Sequence, residues 1–244
     1  MNQSFLYEYP PLLSGRLKRR YKRFLADIEL DSGEIITAHC ANTGPMLGVS
    51  TVGSRVQVSQ SDNPKRKLPY TWEMIEVNAE KPTWVGINTN LPNKVIKIAL
   101  EKQLIPELAG KYHQVKSEVK FGKDQKSRID FVLTGKDSQK PIYLEVKNTT
   151  LAEKDLALFP DTETTRGQKH LQELMQLPST TQPVMLYFVN RDDCLFFAPS
   201  QKYDPIYTKL FYQAVNQGVT ILPCRFTISP QGINYLGLAE MNNE

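Results

Sequence analysis

The chain is poor in cysteine, with only three in 244 residues, at Cys40, Cys194 and Cys224. They are odd in number, widely spaced and form no C-x-x-C pair, which argues against a disulfide framework or a structural zinc site. A reducing, cytoplasmic setting is the plain expectation. Long apolar runs are also missing. The longest, about Pro183 to Val189, is far too short to span a bilayer and suits a buried strand, so no membrane partner is expected. The opening Met1-Asn2-Gln3-Ser4-Phe5 has no basic start followed by an apolar stretch, so no secretory signal is expected. No Ser-His-Asp order, Walker-type glycine loop or dinucleotide fingerprint is present. Internal repeats and low-complexity tracts are absent as well.

What is there is clustered positive charge. The net charge of +4 is mild, but six of the eight residues from Arg16 to Arg23 are basic: Arg16, Lys18, Arg19, Arg20, Lys22 and Arg23. A second cluster, Lys65-Arg66-Lys67, follows Asn63-Pro64. Cations beside the aromatics Tyr21, Phe24, Tyr70 and Trp72 suit a phosphate backbone and stackable bases. The same run also fits a solvated basic strand with no partner.

The first 85 or so residues read as short strands split by turn residues. Arg16 to Leu30 reads as one long strand, Asp31-Ser32-Gly33 as a hairpin turn and Glu34 to His39 as its return. Arg55 to Ser59, Thr71 to Val77 and Thr83 to Ile87 are further strands. About five such strands suggest an OB-like barrel over 1–85, with an SH3-like barrel as the alternative. From residue 86 to 244 the pattern is mixed α/β, so the whole chain is expected to be α+β. A helix is predicted over Leu91 to Leu104, ended by Pro106 and Gly110. Strands follow over Val115 to Phe121, Arg128 to Leu133 and Ile142 to Val146. A helix over Thr165 to Met175 carries capping-box spacing at Thr165 and Gln168. Val184 to Val189 is a strand, Pro205 to Gln217 a helix and Val219 to Leu222 a last strand.

Strand side chains alternate between faces. Ile129, Phe131 and Leu133 then share one face and Asp130 takes the other. Leu144 and Val146 oppose Tyr143, Glu145 and Lys147. With a turn at 135–141, a hairpin brings Asp130 and Glu145 side by side, with Lys147 about 7 Å along the strand. Two carboxylates can hold Mg²⁺ (or Mn²⁺), which takes oxygen ligands and keeps several waters. Such an ion polarises a phosphate and lowers the pKa of bound water, and an adjacent lysine can orient that water or stabilise phosphoryl charge. Glu118 is the candidate third ligand, with Glu101 a weaker one. E-x-K is a weak signal by itself, since the chain holds it at Glu118-Val119-Lys120 and again at Glu145-Val146-Lys147. The second has an aspartate at hairpin distance before it. Pro160-Asp161 falls after it and is not that aspartate. The competing reading is a solvated face on which Asp130 pairs with Lys147, worth at most about 1 kcal/mol if exposed.

Several stretches together resemble the sugar fermentation stimulation protein A family. They are the run Arg20 to Asp27 (RYKRFLAD), His39 to Met46 (HCANTGPM), Asn63 to Glu73 (NPKRKLPYTWE), Ser127 to Phe131 (SRIDF), Glu145 to Leu151 (EVKNTTL), Phe159-Pro160-Asp161 and Thr165 to Leu171 (TRGQKHL). The chain departs from the family wording at Ala41, where proline is usual, and at Ile98, where a helix glutamate is expected, which leaves Glu118 as the third metal ligand. The resemblance implies an N-terminal OB-like domain and a C-terminal domain like the PD-(D/E)XK restriction-endonuclease folds. It implies DNA binding without marked sequence preference and a role in regulating sugar metabolism. It maps Asp130, Glu145 and Lys147 onto catalytic positions, with Asp130, Glu145 and Glu118 on the metal and Gln168 and Lys169 as auxiliary polar residues.

Three functions compete: a DNA-binding nuclease (with RNA an open alternative substrate), a non-catalytic DNA-binding regulator on a nuclease fold, and carbohydrate binding by the barrel. Clustered carboxylates repel DNA unless a cation sits between them, which favours the first. Neutral sugars do not call for six cations, which disfavours the third. His39 beside Cys40 reads as structural, Asn42 to Pro45 as a turn whose amides could meet a phosphate, and His170 as packing near Arg166.

Overall fold

The computed structural model describes residues 5–78, 81–121, 127–135 and 140–242. A short strand, β1 (Tyr7–Glu8), precedes β2 (Leu12–Tyr21), β3 (Leu25–Leu30), β4 (Ile35–His39), β5 (Arg55–Gln60), β6 (Tyr70–Asn78) and β7 (Pro82–Gly86). Strands β2 to β6 close into a five-stranded OB barrel: β3 pairs with β2 and β4, β5 pairs with β2 and β6, and a short parallel contact of Ala38 and His39 with Tyr70 and Thr71 joins β4 to β6. Closure leaves the barrel no open edge except where β7 extends β6. Alternation along the strands fills the barrel with Leu17, Ile28, Ile36, Val56, Val58 and Trp72.

Two expectations fail here. Arg16 to Leu30 is two strands, because Lys22 and Arg23 adopt left-handed backbone (φ 48° and 67°) and turn the chain between β2 and β3. A turn without Gly, Pro or Asn leaves no compositional mark. Trp72, expected as a stacking surface, is fully buried and donates its indole N–H to the Met74 carbonyl at 3.0 Å.

The second half runs α1 (Leu91–Glu101), β8 (Gln114–Phe121), β9 (Ser127–Thr134), β10 (Ile142–Thr149), β11 (Leu151–Glu153), β12 (Leu156–Phe159), α2 (Thr165–Met175), β13 (Gln182–Val189), β14 (Phe196–Pro199), α3 (Pro205–Asn216), β15 (Thr220–Ile228), β16 (Gly232–Leu238) and β17 (Glu240–Met241). Among the described residues, the main sheet has seven strands in the order β1-β16-β15-β13-β10-β9-β8. Its centre, β10-β13-β15, is parallel. Val95, Ile96, Ala99 and Leu100 of α1 cover one face, and Leu171, Leu174, Tyr207 and Phe211 of α2 and α3 cover the other. Burial on both faces is why β13 reads as an unbroken apolar run. A smaller sheet, β11-β12-β14-β17, lies alongside. Its strands are too short for alternation to announce them.

Several boundaries move. Helix α1 stops at Glu101, three residues before Leu104, and Gln103 beyond it is left-handed (φ 55°). The cap of α2 is Thr164, whose hydroxyl accepts the Gly167 N–H at 3.1 Å, and not a Thr165–Gln168 box. The strand expected to end at Leu222 continues to Ile228, with β16 and β17 after it. The turn drawn at 135–141 lies in part outside the described residues. No helix of the described residues is long and apolar enough to cross a membrane.

The two halves are stitched. Tyr7 and Glu8 of β1 pair with Ile233 and Gly232 of β16, so the chain starts in the C-terminal sheet before entering the barrel. At the end of β7, Gly86 N–H donates to the Asn190 carbonyl at 3.0 Å. A Cβ on Gly86 would stand 2.1 Å from the Asn190 side chain, so only glycine fits there as the chain stands.

Candidate functional site

Strands β9 and β10 are antiparallel, pairing Ile142 with Leu133, Tyr143 with Val132 and Leu144 with Phe131. One further step would set Glu145 opposite Asp130, but the ladder ends first. Asp130 instead accepts the Val146 backbone N–H through Oδ2 at 2.8 Å and the Asn93 amide through Oδ1 at 2.7 Å. On its other side, β8 pairs Ser117 with Phe131 and Val119 with Ile129, skipping Glu118 and Asp130 between them. Glu118 is left-handed there (φ 55°). The irregularity breaks the expected alternation: Phe131 and Leu133 face α1, whereas Ile129 faces α2 and α3.

The result is a cleft of about 480 Å³ whose lining includes Asn93, Glu118, Asp130, Glu145, Lys147 and Arg166. Glu145 is buried, 3% exposed, on β10, next to the middle strand of the sheet. Its Oε1 takes Lys147 Nζ at 2.7 Å and also meets His170 Nδ1 from α2. Lys147 Nζ and His170 Nδ1 are themselves 3.1 Å apart. The other oxygen, Glu145 Oε2, is buried with no hydrogen-bond partner among the described residues. Burial alone would raise the Glu145 carboxyl, but Lys147 and His170 outweigh it and hold it below its ordinary value. Asp130 moves the other way. Burial, then the nearby Glu145 charge, push it up to about 6.

The fold thus brings together Asp130, Glu145 and Lys147 and sets Glu118 at the cleft's rim. Lys147 pairs with Glu145, not with Asp130. Among the described residues, no three His, Cys, Asp or Glu side chains gather into a group that could hold a metal ion, so Glu118 does not complete a triad of carboxylates. The auxiliary pair is not brought in. Gln168 Nε2 turns to Asp204, the cap of α3, at 3.0 and 3.1 Å, and exposed Lys169 pairs along its own helix with Glu173 at 3.5 Å. In their place stand Asn93, Arg166 and His170. Only Arg166 and His170 carried a sequence signal, their four-residue spacing on α2.

The basic run is mostly engaged by its own barrel. Arg16 donates to the Gly53 carbonyl at 2.9 Å, Lys18 pairs with Glu29 at 2.8 Å, and Arg19 pairs with Asp27 at 2.7 Å over the Tyr21 ring. Arg20 Nη2 lies 2.8–3.0 Å from the carbonyls of Arg23, Asn42 and Gly44, and Arg23 donates to Thr43 at 2.9 Å. Lys22 is exposed at the turn. In the second cluster, Arg66 donates to Thr71 at 2.7 Å, whereas Lys65 and Lys67 are exposed.

Comparison with known proteins places these features in a family. The profile described as "Sugar fermentation stimulation protein RE domain" matches residues 90–232, and "SfsA N-terminal OB domain" matches 19–87. The sugar fermentation stimulation protein homolog of Crocosphaera subtropica is 67% identical over 241 residues, covering 99% of both chains. That of Trichormus variabilis is 63% identical over 237 residues, covering 97% of this chain and 98% of its own. Among solved structures, SfsA of Pyrococcus furiosus in complex with Ca²⁺ is 26% identical, with a TM-score of 0.86 over 98% of this chain and 99% of that one.

Proposed function

The chain belongs to the sugar fermentation stimulation protein family, and from that premise we propose that it is a DNA-binding phosphodiesterase that uses Mg²⁺ or Mn²⁺, acting with little sequence preference. One observation carries the reading: two neighbouring carboxylates, Asp130 and Glu145, share a cleft with a lysine, and Glu145 Oε2 is buried without a partner among the described residues. A buried anionic oxygen with no donor is costly to leave so. The donor set fits a hard cation, since one or two carboxylates, completed by waters and substrate phosphate, suffice for Mg²⁺. The Pyrococcus furiosus protein was solved with Ca²⁺, also an oxygen-seeking ion, which supports a divalent site on this fold.

Asp130 and Glu145 would hold the ion, which when bound polarises the phosphate and acidifies a coordinated water. Asn93 and the Val146 N–H fix the Asp130 rotamer. Lys147 Nζ, at the cleft wall, donates to charge developing on the phosphoryl oxygens. His170 holds Glu145 and Lys147 in register from α2. Arg166, exposed on the same wall, meets the strand backbone. The second reading is a non-catalytic DNA-binding regulator, favoured by the missing third carboxylate.

The test is cleavage of labelled single- and double-stranded DNA and RNA with Mg²⁺ or Mn²⁺, comparing wild type with Glu145→Ala. Cleavage that the variant loses establishes the phosphodiesterase and its substrate. No cleavage, with salt-sensitive binding in both proteins, selects the regulator.

A further inference from the structure

Beside the cleft, and sharing Thr89 and Asn148 with it as lining, lies a second hollow of about 100 Å³ where the barrel meets the α/β domain. Its polar lining includes Asn42 from the barrel, Asn148 and Thr149 from the end of β10, and Asp161. Leu158 and Phe159 of β12 form an apolar wall. The chemistry proposed for the cleft uses none of these groups.

Their bonding is incomplete in a patterned way. Thr149 Oγ1 is buried and has no hydrogen-bond partner among the described residues. Asn148 Oδ1 is occupied by Asn190 Nδ2 at 2.9 Å, so what Asn148 has left to offer is its NH₂ donor. Asp161, set against the barrel loop where a Cβ on Gly44 would lie 3.6 Å from it, already accepts backbone N–H bonds from Met46 and from its own residue, and a carboxylate keeps further lone pairs to accept with. A donor, a hydroxyl able to do either, and a carboxylate acceptor stand beside an apolar wall. That set complements the edge of a nucleobase. Carboxylates accept from the exocyclic amine of cytosine, an amide NH₂ donates to the ring carbonyl, and extruded bases rest against apolar or aromatic side chains. Size narrows the choice. The hollow, about 100 Å³, is smaller than the roughly 150 Å³ cavity that encloses benzene, so it takes at most the edge of a single six-membered ring entering from its open side, and a fused purine is the poorer fit.

We infer that this hollow is a base pocket that takes one pyrimidine, cytosine before thymine or uracil, turned out from the strand lying across the cleft. The inference rests on the nucleic-acid reading of that cleft and adds the base it selects.

Cytidine and adenosine monophosphates, titrated into the full chain without metal and followed by saturation-transfer NMR, test the pocket directly. Cytidine monophosphate binds more tightly than its adenosine counterpart, and Thr149→Val weakens it about tenfold, the usual cost of one good hydrogen bond. That variant keeps the side chain's shape and loses a hydroxyl with no partner among the described residues, so it should fold normally. Equal binding of the two nucleotides, or unchanged affinity in both Thr149→Val and Asp161→Asn, overturns the pocket. A short single-stranded oligonucleotide bearing a fluorescent cytosine analogue separates this inference from the one beneath it. Its binding unstacks and brightens the analogue, and Thr149→Val abolishes the change. Salt-sensitive oligonucleotide binding with no brightening and no mononucleotide binding overturns the pocket alone. Mononucleotide binding without oligonucleotide binding overturns the reading of the cleft and leaves a mononucleotide site.

Discussion

Asp130 Oδ2 accepts the Val146 backbone N–H at 2.8 Å, so a carboxylate takes a bond beside the point where the β9–β10 ladder stops. That anchoring holds the carboxyl in a buried place next to Glu145, and its pKa rises from 3.8 to about 6. Below pH about 4 the group is protonated in folded and unfolded chains alike and costs nothing. Between about 4 and 6 the unfolded chain ionises first, so stability falls as pH rises. Above about 6 the full penalty is present, up to about 3 kcal/mol. Asp130→Asn should therefore stabilise the metal-free protein at pH 8, by about 1–2 kcal/mol after loss of the charged hydrogen bonds, and by much less at pH 4. Urea unfolding at the two pH values measures it. An equal effect at both would show that the Asp130 charge is not what costs stability.

Glu118 offers a separation of strain from ligation. A non-glycine residue with left-handed backbone costs about 1–2 kcal/mol, partly offset by the entropy glycine loses in a strand. Glu118→Gly should raise the urea midpoint by the equivalent of up to about 1 kcal/mol. Because Glu118 stands at the rim and joins no metal-holding group of three side chains among the described residues, the thermal shift expected from Mg²⁺ should persist in this variant and vanish in Asp130→Asn. Loss of that shift in Glu118→Gly would make Glu118 a ligand after all.

How much of this was legible in the sequence depends on the range of each interaction. Asp130 and Glu145 could be brought together on paper because hairpin spacing is a local rule, and their proximity holds even though the ladder stops one residue short and alternation breaks at Asp130. Helix α2 was legible to its ends because its apolar stripe is regular. His170 was not, because its partner Glu145 is 25 residues away and reaches it only through the packing of α2 on the sheet. Nor was Arg20. A run of six cations reads as one charged face, whereas a bulge between Leu17 and Arg19 and a turn at Lys22 and Arg23 send its members to different partners.

That last distinction is testable. Arg20 serves the carbonyls of Arg23, Asn42 and Gly44 at the base of the 42–44 loop, so Arg20→Ala should destabilise the barrel by about 1–3 kcal/mol, as loss of a charged donor to part-buried acceptors does. Lys65→Ala with Lys67→Ala should leave stability within about 0.5 kcal/mol. If those exposed lysines meet DNA, the slope of log K against log salt should flatten by about 0.9 for each phosphate no longer neutralised. An unaltered slope would remove them from the interface.

Gly86 reports on the seam between the halves. A methyl group there would strike the Asn190 side chain, which holds Asn148. Gly86→Ala should cost about 1–3 kcal/mol in urea unfolding, the usual range for overpacking. Adding Asn190→Ala, which removes the obstructing amide, should recover most of it, giving a double-mutant coupling of about 1 kcal/mol or more. Simple additivity would mean that the Gly86 backbone, and not the clash, sets the cost.

In the proposed phosphodiesterase, His170 would act on the reaction only through its neighbours. It touches Glu145 Oε1 and lies 3.1 Å from Lys147 Nζ. Removing it with His170→Ala leaves the Glu145–Lys147 pair in a widened space, free to shift by the ångström or so that costs about a hundredfold in rate. The expected result is a kcat lower by about ten- to a hundredfold with KM little changed, since the strand is held elsewhere. His170→Asn should restore part of the loss, because its amide can reach the position of Nδ1 and still bond Glu145. A purely packing role predicts the reverse order: His170→Leu would retain activity and His170→Asn would not. The comparison of kcat and KM across the Ala, Asn and Leu variants, with each fold checked by thermal unfolding, decides between positioning and packing.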